Sequence, residues 1–192
     1  MSYNSALPHK GYFINCLILS RYAILKKWRD RIISKQSPSI KDFMENSFKD
    51  NNIKSDHFPS SYFVYSSNVD GLFEKSGIQD FEILEIHGNS QYLQCQDGVQ
   101  CTASSWCFEN PRVFQSLEEL PRCPKCDKIC RPSVLMFNDE EWVGFEGESS
   151  VHFDIYDIWE EAVEDYLLKN PQSSIVLLEI GCGDRVREWD RV

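Results

Sequence analysis

Tyr62-Phe63-Val64-Tyr65-Ser66-Ser67-Asn68-Val69-Asp70-Gly71-Leu72 reads as a strand that ends in a polar turn. The aromatic and β-branched run from Tyr62 to Tyr65 suits a buried strand, and Gly71 permits a tight turn directly after Asn68 and Asp70. Open α/β sheets hold ligands beyond the carboxyl ends of their strands, which makes this turn a candidate binding loop. An Asn-Val-Asp-Gly run is equally complete as a helix cap or a plain turn. The surrounding sequence has to decide between the two.

On the amino-terminal side, Ile14, Leu17, Ile18, Leu25, Trp28 and Ile32 recur at helical spacing between Tyr12 and Ile33, with Lys26, Lys27, Arg29 and Arg31 available for a solvated face. One or two helices are expected there. Ser37-Pro38-Ser39 opens a second, shorter helix that gives way to a loop at Asp50-Asn51-Asn52. On the carboxyl-terminal side, Val134 to Phe137 is strand-like, and Tyr156, Trp159, Val163, Tyr166 and Leu167 mark one face of a helix that Asn170-Pro171 stops. Ile175-Val176-Leu177-Leu178, within Ser174 to Ile180, has no alternation and predicts a strand covered on both faces of a parallel sheet. Strands alternating with helices predict an α/β fold, a parallel sheet with helices. The chain carries no internal repeat and no low-complexity segment.

At 192 residues the chain fits one ordinary domain, or one with a small inserted module. A hydrophobic fraction of 42% supports a packed core. Thirty acidic against twenty basic residues give a formal charge of −10, which disfavours the nucleic-acid backbone and anionic membranes as partners. A basic, lysine-bearing segment is the better electrostatic match, although plain solubility accounts for the charge as well. Tyr12 to Leu19 is the most apolar early stretch, and it falls short of the about 20 residues that span a bilayer. With no basic leader or cleavage site either, the expectation is an intracellular protein of cytoplasm or nucleus.

In a reducing compartment the eight cysteines are thiols or metal ligands rather than disulfides. Six of them lie between His87 and Arg131, in a proline-containing stretch with few apolar runs that reads as an inserted module over residues 88–131. Cys123-Pro124-Lys125-Cys126 is a Cys-x2-Cys knuckle able to give two thiolates to one tetrahedral zinc ion. Cys95 and Cys101 are the preferred second pair, because Cys95 follows the apparent strand Gln91 to Gln94 and so starts from a fixed position. Cys107 competes for the same role. Buried or redox-active thiols are the other reading, which six cysteines around such a knuckle disfavour. Four cysteines leave no open coordination position, so the zinc would be structural, contributing on the order of 10 kcal/mol to folding. Cys130 and Cys182 are read as core or spare thiols.

His87 lies between Ile86 and Gly88, just before the cysteine module. A lone histidine is ordinarily a surface or core residue, and its weight here comes from its neighbours. Taken together, Ser66 to Phe73, then Glu85-Ile86-His87-Gly88-Asn89, then the cysteine knuckle, then Arg131-Pro132-Ser133-Val134-Leu135-Met136-Phe137-Asn138-Asp139, resemble the sirtuins in order and spacing. Sirtuins carry Thr-Gln-Asn-(Ile/Val)-Asp-Gly-Leu-His, Glu-Leu-His-Gly and Arg-Pro-Asp-Val-Val-Trp-Phe-Gly-Glu in these places. Ile180-Gly181-Cys182-Gly183 is similar to their late Gly-Thr-Ser loop.

The resemblance implies a Rossmann-like domain carrying a zinc module and an NAD-dependent protein-lysine deacylase, with acyl-lysine as substrate. It gives Asn68 to the nicotinamide ribose, Val69 and Asp70 to the nicotinamide pocket, and Gly181 and Cys182 to the phosphates and ribose. His87 becomes the general base that takes a ribose hydroxyl proton after the acyl oxygen has displaced nicotinamide. Leu135, Met136 and Phe137 pair with the substrate backbone and line the acyl-lysine tunnel. The sequence also departs from the pattern. The family's Gly-Ala-Gly-(Ile/Val)-Ser loop and Asp-Phe-Arg segment are missing, only Gly11 precedes Gly71, and Ser67, Phe73 and Cys182-Gly183 replace usual residues. These departures suggest a partial Rossmann-like sheet and a sirtuin-type domain over 1–192, incomplete at both ends. The alternatives are a catalytically impaired relative that binds acyl-lysine or protein through its zinc module, and a zinc-dependent interaction module with no sirtuin ancestry.

Overall fold

The computed structural model describes residues 8–51, 58–101, 106–107, 119–144 and 148–181. The long amino-terminal helix α1 spans Pro8–Ser34 and is continuous. The second helix, α2 (Pro38–Asp50), starts with proline in its first turn, where the missing N–H costs nothing, after an extended Ser37. Met44 and Phe48, one turn apart, are its buried residues. They pack on Ile155 and Ala162 of α5 (Glu148–Lys169), with Phe43, Phe63 and Trp159 closing the cluster. Helix α5 ends where expected, and the Asn170 amide donates back to the Tyr166 carbonyl at 2.8 Å.

Between these helices lies the strand β1 (Val64–Ser66), followed by a short helix α3 (Leu72–Lys75), a 3-10 turn over Asp80–Glu82 and the strand β2 (Ile83–Glu85). The two strands run parallel, with Val64 beside Ile83 and Ser66 beside Glu85. Val64, Ile78 and Ile83 form a small core beneath them, capped by Tyr62 and Phe73. This parallel pair with its helices is the α/β unit the sequence implied. A separate antiparallel sheet holds the cysteine module: β3 (Gly88–Cys95) lies between β4 (Trp106–Cys107) and β5 (Cys130–Val134), and a short helix α4 (Gly98–Cys101) follows β3.

Three expectations change. Residues 174–180 are not a strand: Val176 is 85% exposed and Leu177 75%. A strand needs an edge to pair with, and none of the described residues pairs with this segment, so its apolar side chains remain in water. Strand β5 ends at Val134, short of Phe137, because the chain turns out of the sheet through Asn138, whose φ is 58°. In the part of helix α1 whose side chains are described, Lys27 and Arg31 are exposed as expected, but two apolar residues and one arginine are not where the spacing put them. Trp28 and Ile32 are nearly half exposed, whereas Arg29, assigned to the solvated face, turns inward onto Glu82 at 2.6 Å. Glu82 is fully buried and also accepts the Ser60 hydroxyl at 2.8 Å, while Trp159 Nε1 donates to the Ser60 carbonyl. A buried carboxylate demands a charged partner, and this demand outweighs the exposure of a few apolar atoms.

Candidate functional site

The candidate binding turn sits at the carboxyl end of β1, and backbone hydrogen bonds stitch it to its neighbours. The Ile86 N–H donates to the Ser66 carbonyl at 3.0 Å, and the Ser90 N–H to the Val69 carbonyl at 2.8 Å. The Leu135 N–H donates to the His87 carbonyl at 2.9 Å. Three segments far apart in sequence, 68–71, 86–90 and 133–135, therefore meet at one edge. Two glycines make the approach possible. At Gly88 (φ 81°) a Cβ would lie 2.2 Å from the Ser133 carbonyl oxygen, and at Gly71 (φ 63°) it would meet Gln91 Cγ at 2.9 Å. Both positions need a left-handed backbone and bare space at once.

Within the turn, Asp70 Oδ1 accepts the Leu72 N–H at 3.0 Å and so fixes the start of α3. Its other oxygen accepts the Tyr22 hydroxyl at 3.0 Å, and Tyr22 Oη accepts the Asn68 amide N–H at 2.9 Å. Burial pushes the Tyr22 phenol above its usual range; the Asn68 hydrogen bond opposes this and the Asp70 charge adds to it. His87 is half-buried beside this edge.

Glu85 lies behind the turn and lines a cleft of about 340 Å³ together with Leu84, Asn89, Ser133, Trp142 and His152. Burial lifts its carboxyl from 4.5 to about 7; the Asn89 amide lowers it, the charges of Asp70 and Glu74 raise it, and the Gly71 N–H lowers it. One oxygen is held by Asn89, and Oε1 is buried without a hydrogen-bond partner among the described residues. On the far side, Arg131 grips Asp139 with two nitrogens at 2.7 and 2.8 Å. Asp139 in turn accepts the Met136 N–H at 3.3 Å. That fork holds out the turn on which Met136 (60% exposed) and Phe137 (98% exposed) stand.

The cysteine cluster is built on the β3–β5 pairing. Cys95 closes β3 opposite Cys130, Cys101 ends α4, and Cys123 and Cys126 occupy a tight turn in which the Asp127 N–H donates to the Cys123 carbonyl at 2.9 Å. The Sγ atoms of Cys95, Cys101, Cys123 and Cys126 all lie within 4.8 Å of one another. Cys95 and Cys126 stand 3.5 Å apart, and Cys101 is 3.4 Å from both Cys123 and Cys126. Tetrahedral zinc with Zn–S bonds of about 2.3 Å sets sulfur–sulfur separations of about 3.8 Å, so a small outward movement accommodates the ion. Burial raises the Cys123 thiol, but the Lys125 and Cys126 backbone N–H groups outweigh it and hold the thiol down at about 7. The neighbouring Cys126 and Cys123 sulfurs, followed by burial, push Cys101 up to about 12. Crowded thiols without a cation resist joint ionisation, and a divalent cation removes that conflict. Cys130 packs in the adjoining core, 5% exposed.

The structure thus brings Asn68, Val69, Asp70, His87 and Leu135 to one edge, and the four cysteines to one point at the other end of β3. Met136 and Phe137 stand out in solvent. Gly181 (φ 78°) is exposed, with nothing within 4 Å of a Cβ placed there. Cys182 lies outside the described residues, as does the Cys107 side chain. Sequence reasoning missed Tyr22, Glu85 and Asn89. Glu85 and Asn89 stood within a quoted motif, but nothing marked them as buried partners.

The Sir2 family model matches residues 27–150. The chain is 36% identical over 78 residues to an NAD-dependent protein deacylase of Thermococcus kodakarensis, covering 40% of this chain and 28% of that protein. It is 33% identical over 126 residues to NAD-dependent protein deacylase 1 of Caldanaerobacter subterraneus subsp. tengcongensis, covering 61% and 43%. The chain therefore spans less than half the length of these curated relatives. A solved Sir2 homolog–NAD complex superposes with a TM-score of 0.36 at 20% identity, over 83% of this chain and 51% of that chain.

Proposed function

The chain belongs to the Sir2 family, and on that premise we infer that it serves NAD-dependent removal of acyl groups from protein lysines. The observation that carries this reading is the backbone stitching of Val69 to Ser90 and of His87 to Leu135. It gathers a polar pair, a histidine and a substrate-strand candidate around one edge, as the reaction requires. NAD, when bound, supplies an electrophilic ribose carbon and nicotinamide as leaving group. Asn68 offers an amide donor toward a ribose or carboxamide oxygen, and Asp70 a carboxylate that accepts a carboxamide N–H. Those two residues fit the nicotinamide end of the cofactor. No glycine-lined diphosphate cradle is present among the described residues, and Gly181 stands open to solvent.

His87 is the general base, taking a hydroxyl proton at a ring nitrogen. Leu135 to Phe137 pair with an extended acyl-lysine peptide as an added strand, presented by the Arg131–Asp139 fork. Residues 88–131 form an inserted module, and Cys95, Cys101, Cys123 and Cys126 hold one structural zinc ion in it. The remainder of 1–192 is the sirtuin-type domain. The thiol-rich module suits a reducing, intracellular compartment.

The test is a deacylation assay on acetyl-lysine peptides with zinc-loaded protein, comparing the parent chain with His87→Ala. The expected result is NAD-dependent turnover that falls at least a hundredfold in the variant. Undiminished turnover in His87→Ala would remove His87 from its role. Peptide binding with no turnover in either protein would favour the impaired, acyl-lysine-binding alternative.

A further inference from the structure

Helix α1 meets the site through a polar stripe. Tyr22, Lys26 and Arg29 share one face at a spacing of four and three residues. Arg29 anchors the stripe on buried Glu82 at 2.6 Å, and the aliphatic end of Lys26 lies over Gly77. Tyr22 packs edge-on against Phe73, with ring centroids 4.6 Å apart at 85°. With its helix anchored and its ring held, the Tyr22 hydroxyl takes a fixed position between Asn68 Nδ2 and Asp70 Oδ2, at 2.9 and 3.0 Å. It engages one N–H of the Asn68 amide and one carboxylate oxygen, and the other oxygen accepts the Leu72 N–H. A carboxamide that spans the same two side chains therefore meets the hydroxyl between them.

We propose that Tyr22 is a specificity-determining residue of this site: its hydroxyl occupies the hydrogen-bonding positions a nicotinamide carboxamide would take, so that ligands carrying the ring must displace it and ligands lacking the ring need not. The inference rests on the assignment of Asn68 and Asp70 to the nicotinamide end of NAD. Its consequence is a site that discriminates between NAD and ADP-ribose, which differ by the nicotinamide ring alone. Displacement requires giving up one hydrogen bond to a carboxylate and one to an amide. Tyr22→Phe removes both while keeping the ring against Phe73.

The experiment is calorimetric titration of zinc-loaded parent, Tyr22→Phe and Tyr22→Leu with NAD and, separately, with ADP-ribose. Circular dichroism and a thermal melt establish that each variant is folded, and Tyr22→Leu carries the test if Tyr22→Phe fails to fold. The expected result is NAD affinity about tenfold tighter in both variants, the scale of one charge-assisted hydrogen bond no longer surrendered, with ADP-ribose affinity unchanged. Equal NAD affinity in parent and variants would overturn the role of Tyr22 and leave the NAD reading standing. Equal gains for both ligands would overturn it too, because they would mean that α1 merely covers the site. Binding of ADP-ribose but of NAD in no variant would overturn the assignment of Asn68 and Asp70, and with it the inference. No binding of either ligand to any variant would overturn the NAD reading itself.

Discussion

Replacing Glu85 by glutamine should stabilise the protein at pH 8 and destabilise it by about 1 kcal/mol near pH 4. The carboxyl is raised from 4.5 to about 7, chiefly by burial. Between those values the folded state binds more protons than the unfolded one, so stability contributed by the neutral carboxyl is fully present below pH 4.5. It is lost as pH rises through about 7. At about 1.36 kcal/mol per pH unit, ionising Glu85 in place costs at most about 3 kcal/mol by pH 8. Glutamine keeps the volume and can still accept the Asn89 amide, but its own amide nitrogen goes unpartnered at the Oε1 position, which costs about 1 kcal/mol. The net gain is about 2 kcal/mol at pH 8. Urea unfolding of zinc-loaded parent and variant at pH 5 and pH 8 measures it, and comparing the two proteins cancels every other titrating group. Parallel pH dependences in parent and Glu85→Gln would refute the reasoning.

Other expectations follow from contacts already described. Gly88→Ala forces a Cβ to within 2.2 Å of the Ser133 carbonyl, so it should lower the melting temperature by 10 °C or more, on the order of 3 kcal/mol or above. A melt within about 2 °C of the parent would contradict the close approach of β3 and β5. Arg29→Met leaves the buried Glu82 carboxylate unpaired and should destabilise by about 3–5 kcal/mol, whereas Arg29→Met combined with Glu82→Gln should recover much of that loss, both read by urea unfolding. Cys126→Ser should lower zinc content from stoichiometric to a small fraction, measured by plasma emission on protein purified without chelator. Full metal content in that variant would count against the four-cysteine site.

The sequence carried local information well. Helix α2 appears where the Ser37-Pro38-Ser39 turn signal opened it and α5 where apolar spacing placed it, and the two pack together as Met44 and Phe48 meet Ile155 and Ala162. The cysteine cluster was legible because ligand spacing is itself a geometric constraint, and the end of β3 fixes Cys95. What periodicity cannot encode is the partner of a polar residue far away in the chain. Arg29 and Glu82 are 53 positions apart and Tyr22 and Asn68 are 46, so α1 was read with its charged face outward. Glu85 was hidden for a related reason: a carboxylate in a motif gives no sign of being buried until β2 and β3 are folded around it. The error at 174–180 is of another kind. Ile175 to Leu178 has strand composition, but composition specifies a strand only where another strand offers an edge.

The central claim, that the edge formed by Asn68, Asp70, His87 and Leu135 performs sirtuin chemistry, is tested most directly by identifying the products. Zinc-loaded protein incubated with NAD and an acetyl-lysine peptide should yield free-lysine peptide, nicotinamide and acetyl-ADP-ribose in equal amounts by mass spectrometry. Deacylation that proceeds without NAD, or releases acetate with no nicotinamide, would contradict the account.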